Sequence, residues 1–413
     1  MRIFFLIFLF FLIFSSCKKE LISPSQEEKI KRKIIYKYKG KKFEEPEIKI
    51  LLKEGEGPYY LSATSKYKII AGNKKYTSFA GDFLKFEFVS HNELMIYYKG
   101  KSFLFKTPVL VETNDGYILF ENKRYRGKIL FENGKKVINI LKLEDYLLSV
   151  VPKEIGVNNP SLIESAKAQA VCSRSYALRK YIERNNFPFH LYSDVRDQVY
   201  LGKDFENSWA TAAVNSTRGI VCIYKDEIAL TLYHSTCGGT TASFKEAFPS
   251  LDEVFYLRSV KCNLNGKDLC KSSPYYSWER KYKKEDFTNL LKNNFSKIYG
   301  IEIKGDIFKK MEIINKSREG RIYEIKVSFG QNYIILKSEE IRKIFGDPVK
   351  GPLPSSWFDL IFIGNEVIIK GKGFGHGIGL CQYGARELSK MGLNYEKILK
   401  FYFPGTRIKK IYN

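Results

Sequence analysis

The stretch from Leu143 to Ile182, LEDYLLSVVPKEIGVNNPSLIESAKAQAVCSRSYALRKYI, constrains this chain more than any other. It predicts a short helix from Leu143 to Val151 broken at Pro152, a turn carrying Glu154 and Gly156, and a longer helix opening near Asn159-Pro160-Ser161. Proline at a first helical position and the Ser161-x-x-Glu164 capping box both mark such a start. Along the second helix Ile163, Ala166, Ala170, Ala177, Leu178 and Tyr181 recur at helical spacing. A face that rich in alanine lets a neighbouring backbone approach closely, so the helix is expected to be central and buried. On a turn between two packed helices Glu154 is open to desolvation, which raises a carboxyl pKa toward the range of a general acid.

From Pro46 to about Leu141 the pattern changes to short β runs, among them IKILL, FLKFEFV and ELMIYY, parted by turn residues such as Asn114-Asp115-Gly116 and Asn133-Gly134. These read as hairpins of an antiparallel β-rich N-terminal half, residues 46–135, with no catalytic constellation. Beyond it, residues 136–413 mix helices and strands: a hairpin from Gly219 turning at Lys225-Asp226 and ending at His234, and amphipathic helices at Asp286–Tyr299 and Ser338–Phe345. A glycine-alternating run follows at 371–379, whose backbone can approach a ligand closely. The expected class is α+β, with a mixed α/β catalytic region built around the central helix.

The N-terminus sets the compartment. Met1-Arg2 precedes an unbroken apolar run from Ile3 to Phe14, then Ser15-Ser16-Cys17. The run is too short to span a bilayer and fits an export signal over residues 1–16. Cys17 is then the expected lipidated first residue of a membrane-anchored envelope lipoprotein, and residues 17–45 a charged tether. The net charge of +24 points to anionic partners. The lysines are spread along the chain and no nucleic-acid module is recognisable, so nucleic acid is not expected as a partner.

The 143–182 stretch, with HSTCGGTTAS at 234–243 and GKGFGHGIGLCQYGAREL at 371–388, resembles the stage II sporulation protein D family (SpoIID/LytB). The likeness runs in order from about Tyr125 to Arg407. Ile155 and Ser175 are mild departures, where that family usually has Met and Thr. The resemblance implies a lytic transglycosylase cleaving peptidoglycan glycan strands, with Glu154 as its one acid/base. Such a carboxyl protonates the bridging oxygen, then takes the proton from the C6 hydroxyl of the same muramic acid, closing a 1,6-anhydro ring. Hydrolysis instead needs a second carboxylate, for which Asp194 and Asp197 are the candidates. The resemblance also implies two rivals, a non-catalytic wall-binding modifier of a separate cell-wall amidase, and a zinc-dependent wall amidase or peptidase.

In the matching motifs Gln169, Arg174, Tyr176, Gln198, Tyr200, His376, Gln382 and Tyr383 are candidate substrate-binding residues, since long polar and aromatic side chains suit a sugar groove. Arg174 and Tyr176 fit a structural hydrogen-bonding role equally well. The resemblance supports a zinc near HSTCGG in some members. His234, Cys237, Cys262 and Cys270 make a candidate Cys3His ligand set for a structural zinc, against which stands a disulfide between Cys262 and Cys270. Cys381 occupies a position where the family usually has serine and is read as incidental.

Overall fold

The computed structural model describes residues 44–248 and 251–413; the expected signal segment, Cys17 and the expected tether up to residue 43 lie outside them. The protein is α+β and forms two compact units, each described by itself. The first unit comprises residues 44–231, Gly392–Glu396 and Thr406–Asn413; the second comprises Leu232–Met391 (save 249–250) and Lys397–Gly405.

In the first unit a seven-stranded sheet and a six-stranded sheet account for the β-rich half. Alternation builds each strand: in Leu84–Phe88 the residues Leu84, Phe86 and Phe88 are buried while Lys85 and Glu87 are not. Phe86 of the smaller sheet stacks on Phe131 of the larger, 4.3 Å between centroids, so the inward faces share one core. Asn133-Gly134 makes the expected hairpin between Lys128–Glu132 and Lys136–Lys142. Asn114-Asp115-Gly116 does not: Val109–Thr113 lies in the larger sheet and Ile118–Phe120 in the smaller, so this turn carries the chain across the sandwich. Gly116 (φ +84°) passes against the Thr64 hydroxyl, where a side chain would not fit.

Leu191–Tyr192 joins Glu47–Glu54 in parallel and brings the segment after the helices onto the large sheet. The helix α1 (Leu143–Ile155) runs through Pro152 and ends at Gly156 in the left-handed conformation, whose N–H bonds the Pro152 carbonyl at 3.2 Å. Burial of Tyr146, Leu147, Val150 and Val151 outweighs the hydrogen bond that proline forfeits. After a 3₁₀ turn, Pro160–Leu162, comes α2 (Ile163–Glu183). No capping box forms. Asn159 accepts from the Ser161 N–H at 3.1 Å, and Glu164 is paired with Lys167 at 2.6 Å. Ala166, Ala168, Ala170 and Ala177 are fully buried, as a central helix requires. The third helix, α3 (Ser208–Ser216), is capped by Asn207 and contacts both α1 and α2.

In the second unit two three-stranded sheets and the helices Lys284–Tyr299 and Ser338–Ile344 close on a core containing Phe287, Phe295, Phe345 and Phe358. Its other feature is a two-residue parallel ladder, Tyr233–His234 with Leu380–Cys381, which places the HSTCGG segment beside the glycine-rich run.

Candidate functional site

In the first unit Glu154 occupies the last turn of α1, half-buried, and its Oε1 accepts the Val199 N–H at 3.0 Å. The segment around Val199 is laced along the same helix. Tyr146 Oη donates to Gln198 Oε1 at 3.1 Å, and the Leu201 N–H reaches Ser149 Oγ at 3.3 Å. Tyr200 Oη donates to Asn139 Oδ1 at 2.8 Å. This strap, residues 197–201, fixes the carboxylate from the side.

Gln198 and Tyr200 therefore do not line a groove; they are 0% and 3% exposed. The same correction holds for Gln169 and Arg174, both 0% exposed, and for Tyr176, at 5%. Arg174 makes a bidentate pair with Glu144 (2.8 and 2.7 Å) and spends Nη1 on the Ile220 carbonyl. Tyr176 Oη donates to Asp197 Oδ1 at 2.6 Å. Amphipathic side chains on a helix buried on all sides turn into internal hydrogen-bonders, because an unpartnered polar group there is costly.

Both candidate second carboxylates are paired with arginine, Asp197 inside the fold and Asp194 at its surface. Asp197, with its side chain 0% exposed, accepts from Tyr176, from Arg184 Nη1 (2.8 Å) and from the Tyr192 N–H (2.8 Å). Asp194 is clamped by Arg196 at 2.8 and 2.6 Å; burial would raise its pKa, but the guanidinium and the Arg196 N–H bring it below the usual carboxylate value.

In the second unit His376 stands exposed in the glycine run, Tyr383 is half-buried and Gln382 is 8% exposed. The glycines serve the protein's own packing and not a ligand's approach: a side chain at Gly377 (φ +84°) would meet the Arg321 guanidinium at 2.6–2.9 Å. Ile378 N–H donates to His376 Nδ1 (3.1 Å), so His376 Nε2 carries the proton it gives to the Tyr233 carbonyl (2.9 Å). His234 lies 5.6 Å away, ring to ring, and its Nδ1 faces the Ile378 carbonyl at 3.1 Å. Burial, with the nearby His376 and Arg321, holds His234 well below its ordinary pKa, so it is neutral.

The expected metal set changes by one member. Cys237, Cys262 and Cys270 converge with Cys381, all buried and with every sulfur within 4.8 Å of the others, while His234 stands outside the group. The signal was present in the sequence: Cys381 departs from the serine usual in similar proteins, and a departure toward thiol beside three other cysteines is itself informative. A further feature that no motif marked is an open cleft of about 450 Å³ lined by Trp278 and Trp357 with Glu279, Asp359 and Lys370, a pairing of aromatic and polar groups suited to sugar rings.

The chain is similar in sequence to known proteins. Residues 132–224 match the stage II sporulation protein family and residues 243–379 a domain of unknown function, DUF8618. The chain is 31% identical over 369 residues to an uncharacterized protein of Brachyspira hyodysenteriae, covering 87% of this chain and 92% of that one. It is 26% identical to stage II sporulation protein D of Bacillus subtilis, over 68% of this chain and 78% of the relative. With the amidase enhancer of Bacillus subtilis the identity is 28%, over 63% of this chain but 40% of the longer relative. The family match falls on α1, α2 and the strap that holds Glu154, and with these relatives it establishes that the chain belongs to the stage II sporulation protein D family.

Proposed function

We propose that this protein is a lytic transglycosylase that cleaves peptidoglycan glycan strands, with Glu154 as its single general acid and base. Family membership gives it a cell-wall-related role. The observation that supports the finer reading is the placement of the carboxylates: Glu154 lies half-buried at the end of α1 with its Oε1 on the Val199 N–H, whereas Asp197 and Asp194 are each paired with an arginine. A hydrolase would need a second free carboxylate at a fixed separation; an enzyme that uses the sugar's own C6 hydroxyl does not. Glu154 first donates its proton to the leaving oxygen and then, as carboxylate, accepts the C6 proton as the anhydro ring closes.

Mass spectrometry of fragments released from purified peptidoglycan tests this directly. Wild-type products are expected to end in 1,6-anhydromuramic acid. Glu154→Gln should release fragments about a hundred- to ten-thousandfold more slowly, the usual worth of general acid–base catalysis, with unchanged circular dichroism and wall binding. Ordinary reducing ends would show that water attacks; full activity in Glu154→Gln would end the reading. A second reading draws on the likeness to the amidase enhancer: the chain binds wall and stimulates a separate amidase. It predicts no glycan fragments from wild-type protein and faster stem-peptide release when an amidase is added.

A further inference from the structure

We propose that Cys237, Cys262, Cys270 and Cys381 form a closed four-thiolate site for one zinc ion, which fastens the HSTCGG segment to the start of the helix carrying Gln382 and Tyr383.

The geometry is that of a tetrahedral cage. Four sulfurs around zinc at about 2.3 Å stand about 3.8 Å apart, and here all lie within 4.8 Å, with Cys237 and Cys270 at 3.5 Å. None of the four is in a disulfide. Local structure aims each one inward. Cys262 and Cys270 flank a two-rung hairpin, Asn263–Leu264 with Lys267–Asp268, closed by the Leu269 N–H on the Cys262 carbonyl at 2.9 Å. Cys237 follows the ladder strand Tyr233–His234, and Cys381 ends its partner Leu380–Cys381.

The surroundings suit sulfur that carries negative charge. The Cys237 N–H points at Cys381 Sγ (3.3 Å), and the Tyr402 hydroxyl lies 3.2 Å from Cys262 Sγ. Donors of this kind orient and stabilise metal-bound thiolates. A second, independent observation is Arg321. Its side chain is 2% exposed, it makes no ion pair among the described residues, and its Nη1 finds no acceptor there, while Nη2 donates to the Cys237 carbonyl at 2.5 Å. A buried guanidinium without a counter-charge is costly. Zinc with four thiolates carries a net charge of about −2 beside it and supplies that counter-charge. Four protein ligands leave no position for water, so the ion is structural and the amidase or peptidase reading through His234 gains nothing from it.

The test does not depend on any cleavage assay. Full-length protein purified without chelators should contain one zinc per chain, and X-ray absorption at the zinc edge should show a shell of sulfur alone with no imidazole scattering. His234→Ala should keep the zinc and Cys381→Ser should lose it. Should Cys381→Ser not fold, the absorption spectrum of the wild type decides by itself. A mixed sulfur and nitrogen shell, loss of zinc in His234→Ala, iron in its place, or metal-free protein with the four thiols paired as disulfides would overturn the assignment.

Discussion

Glu154 and Asp197 show how far a residue's chemistry depends on what holds it. Both are carboxylates in the same stretch of the first unit; Glu154 accepts the Val199 N–H from the strap, while Asp197 is held inside by a tyrosine, an arginine and a backbone N–H. Asp197 is therefore a positioning residue, which ties α2 through Tyr176 to the strap that reaches Glu154. Asp197→Asn should cost stability, about 3–5 kcal/mol as for a broken buried pair, because Arg184 keeps its charge with no partner. Denaturant unfolding measures it. The pH profile of whatever cleavage survives below the melting range should keep its shape; a lost limb would instead make Asp197 a titrating catalytic group. The sequence made the family motif around Glu154 legible, but not the inward turn of Gln169, Arg174, Gln198 and Tyr200. Polar residues at helical spacing look alike whether they meet sugar or another side chain, and only their burial tells them apart.

At the scale of elements, α1 and α2 are joined by the Glu144–Arg174 pair, to which the C-terminal segment adds the Tyr412 hydroxyl at 2.6 Å and the turn before Ile220–Tyr224 adds the Gly219 N–H at 3.2 Å. Burial alone would raise the Glu144 pKa, but Arg174 and these donors bring it below its ordinary 4.5. A folded pKa below the unfolded one stabilises the protein above the unfolded value, and that contribution is lost as pH falls through 4.5 toward the folded value. Thermal unfolding of wild type should therefore lose stability below about pH 4.5, and Glu144→Gln should be less stable at pH 7 but flatter in that acid range. Arg174→Met combined with Glu144→Leu should be less harmful than either alone, since hydrophobic replacement of a buried pair is often neutral while removal of one partner is not. Here the sequence told existence better than ends. The two helices were legible from apolar spacing, yet Pro152 did not break α1 and Ser161 did not cap α2, because packing and the nearer Asn159 decided both.

Over the whole molecule the strongest signal is charge. With 69 lysines and arginines against 45 acidic residues the chain is a polycation, and the buried carboxylates Glu144 and Asp197 are already matched by arginine. The surplus is left for an external anion. The parallel pairing between Leu191–Tyr192 and Glu47–Glu54 was the part least visible in advance, since it has no signature at that separation in sequence. The charge was visible from composition alone, and its consequence is a dependence on salt. Exposed charges are screened over about 8 Å at physiological ionic strength and about 3 Å at 1 M, so a wall attachment made by scattered lysines weakens steeply across that range. Binding to purified sacculi that retain their anionic polymers should fall by an order of magnitude or more between about 0.1 and 1 M salt, and sacculi stripped of those polymers should bind weakly throughout. Glu154→Gln should follow the wild-type curve, because in the proposed mechanism that carboxyl acts on the bound strand and contributes little to holding it. Salt-independent binding would place recognition in sugar contacts, with the Trp278–Trp357 cleft as the first surface to substitute.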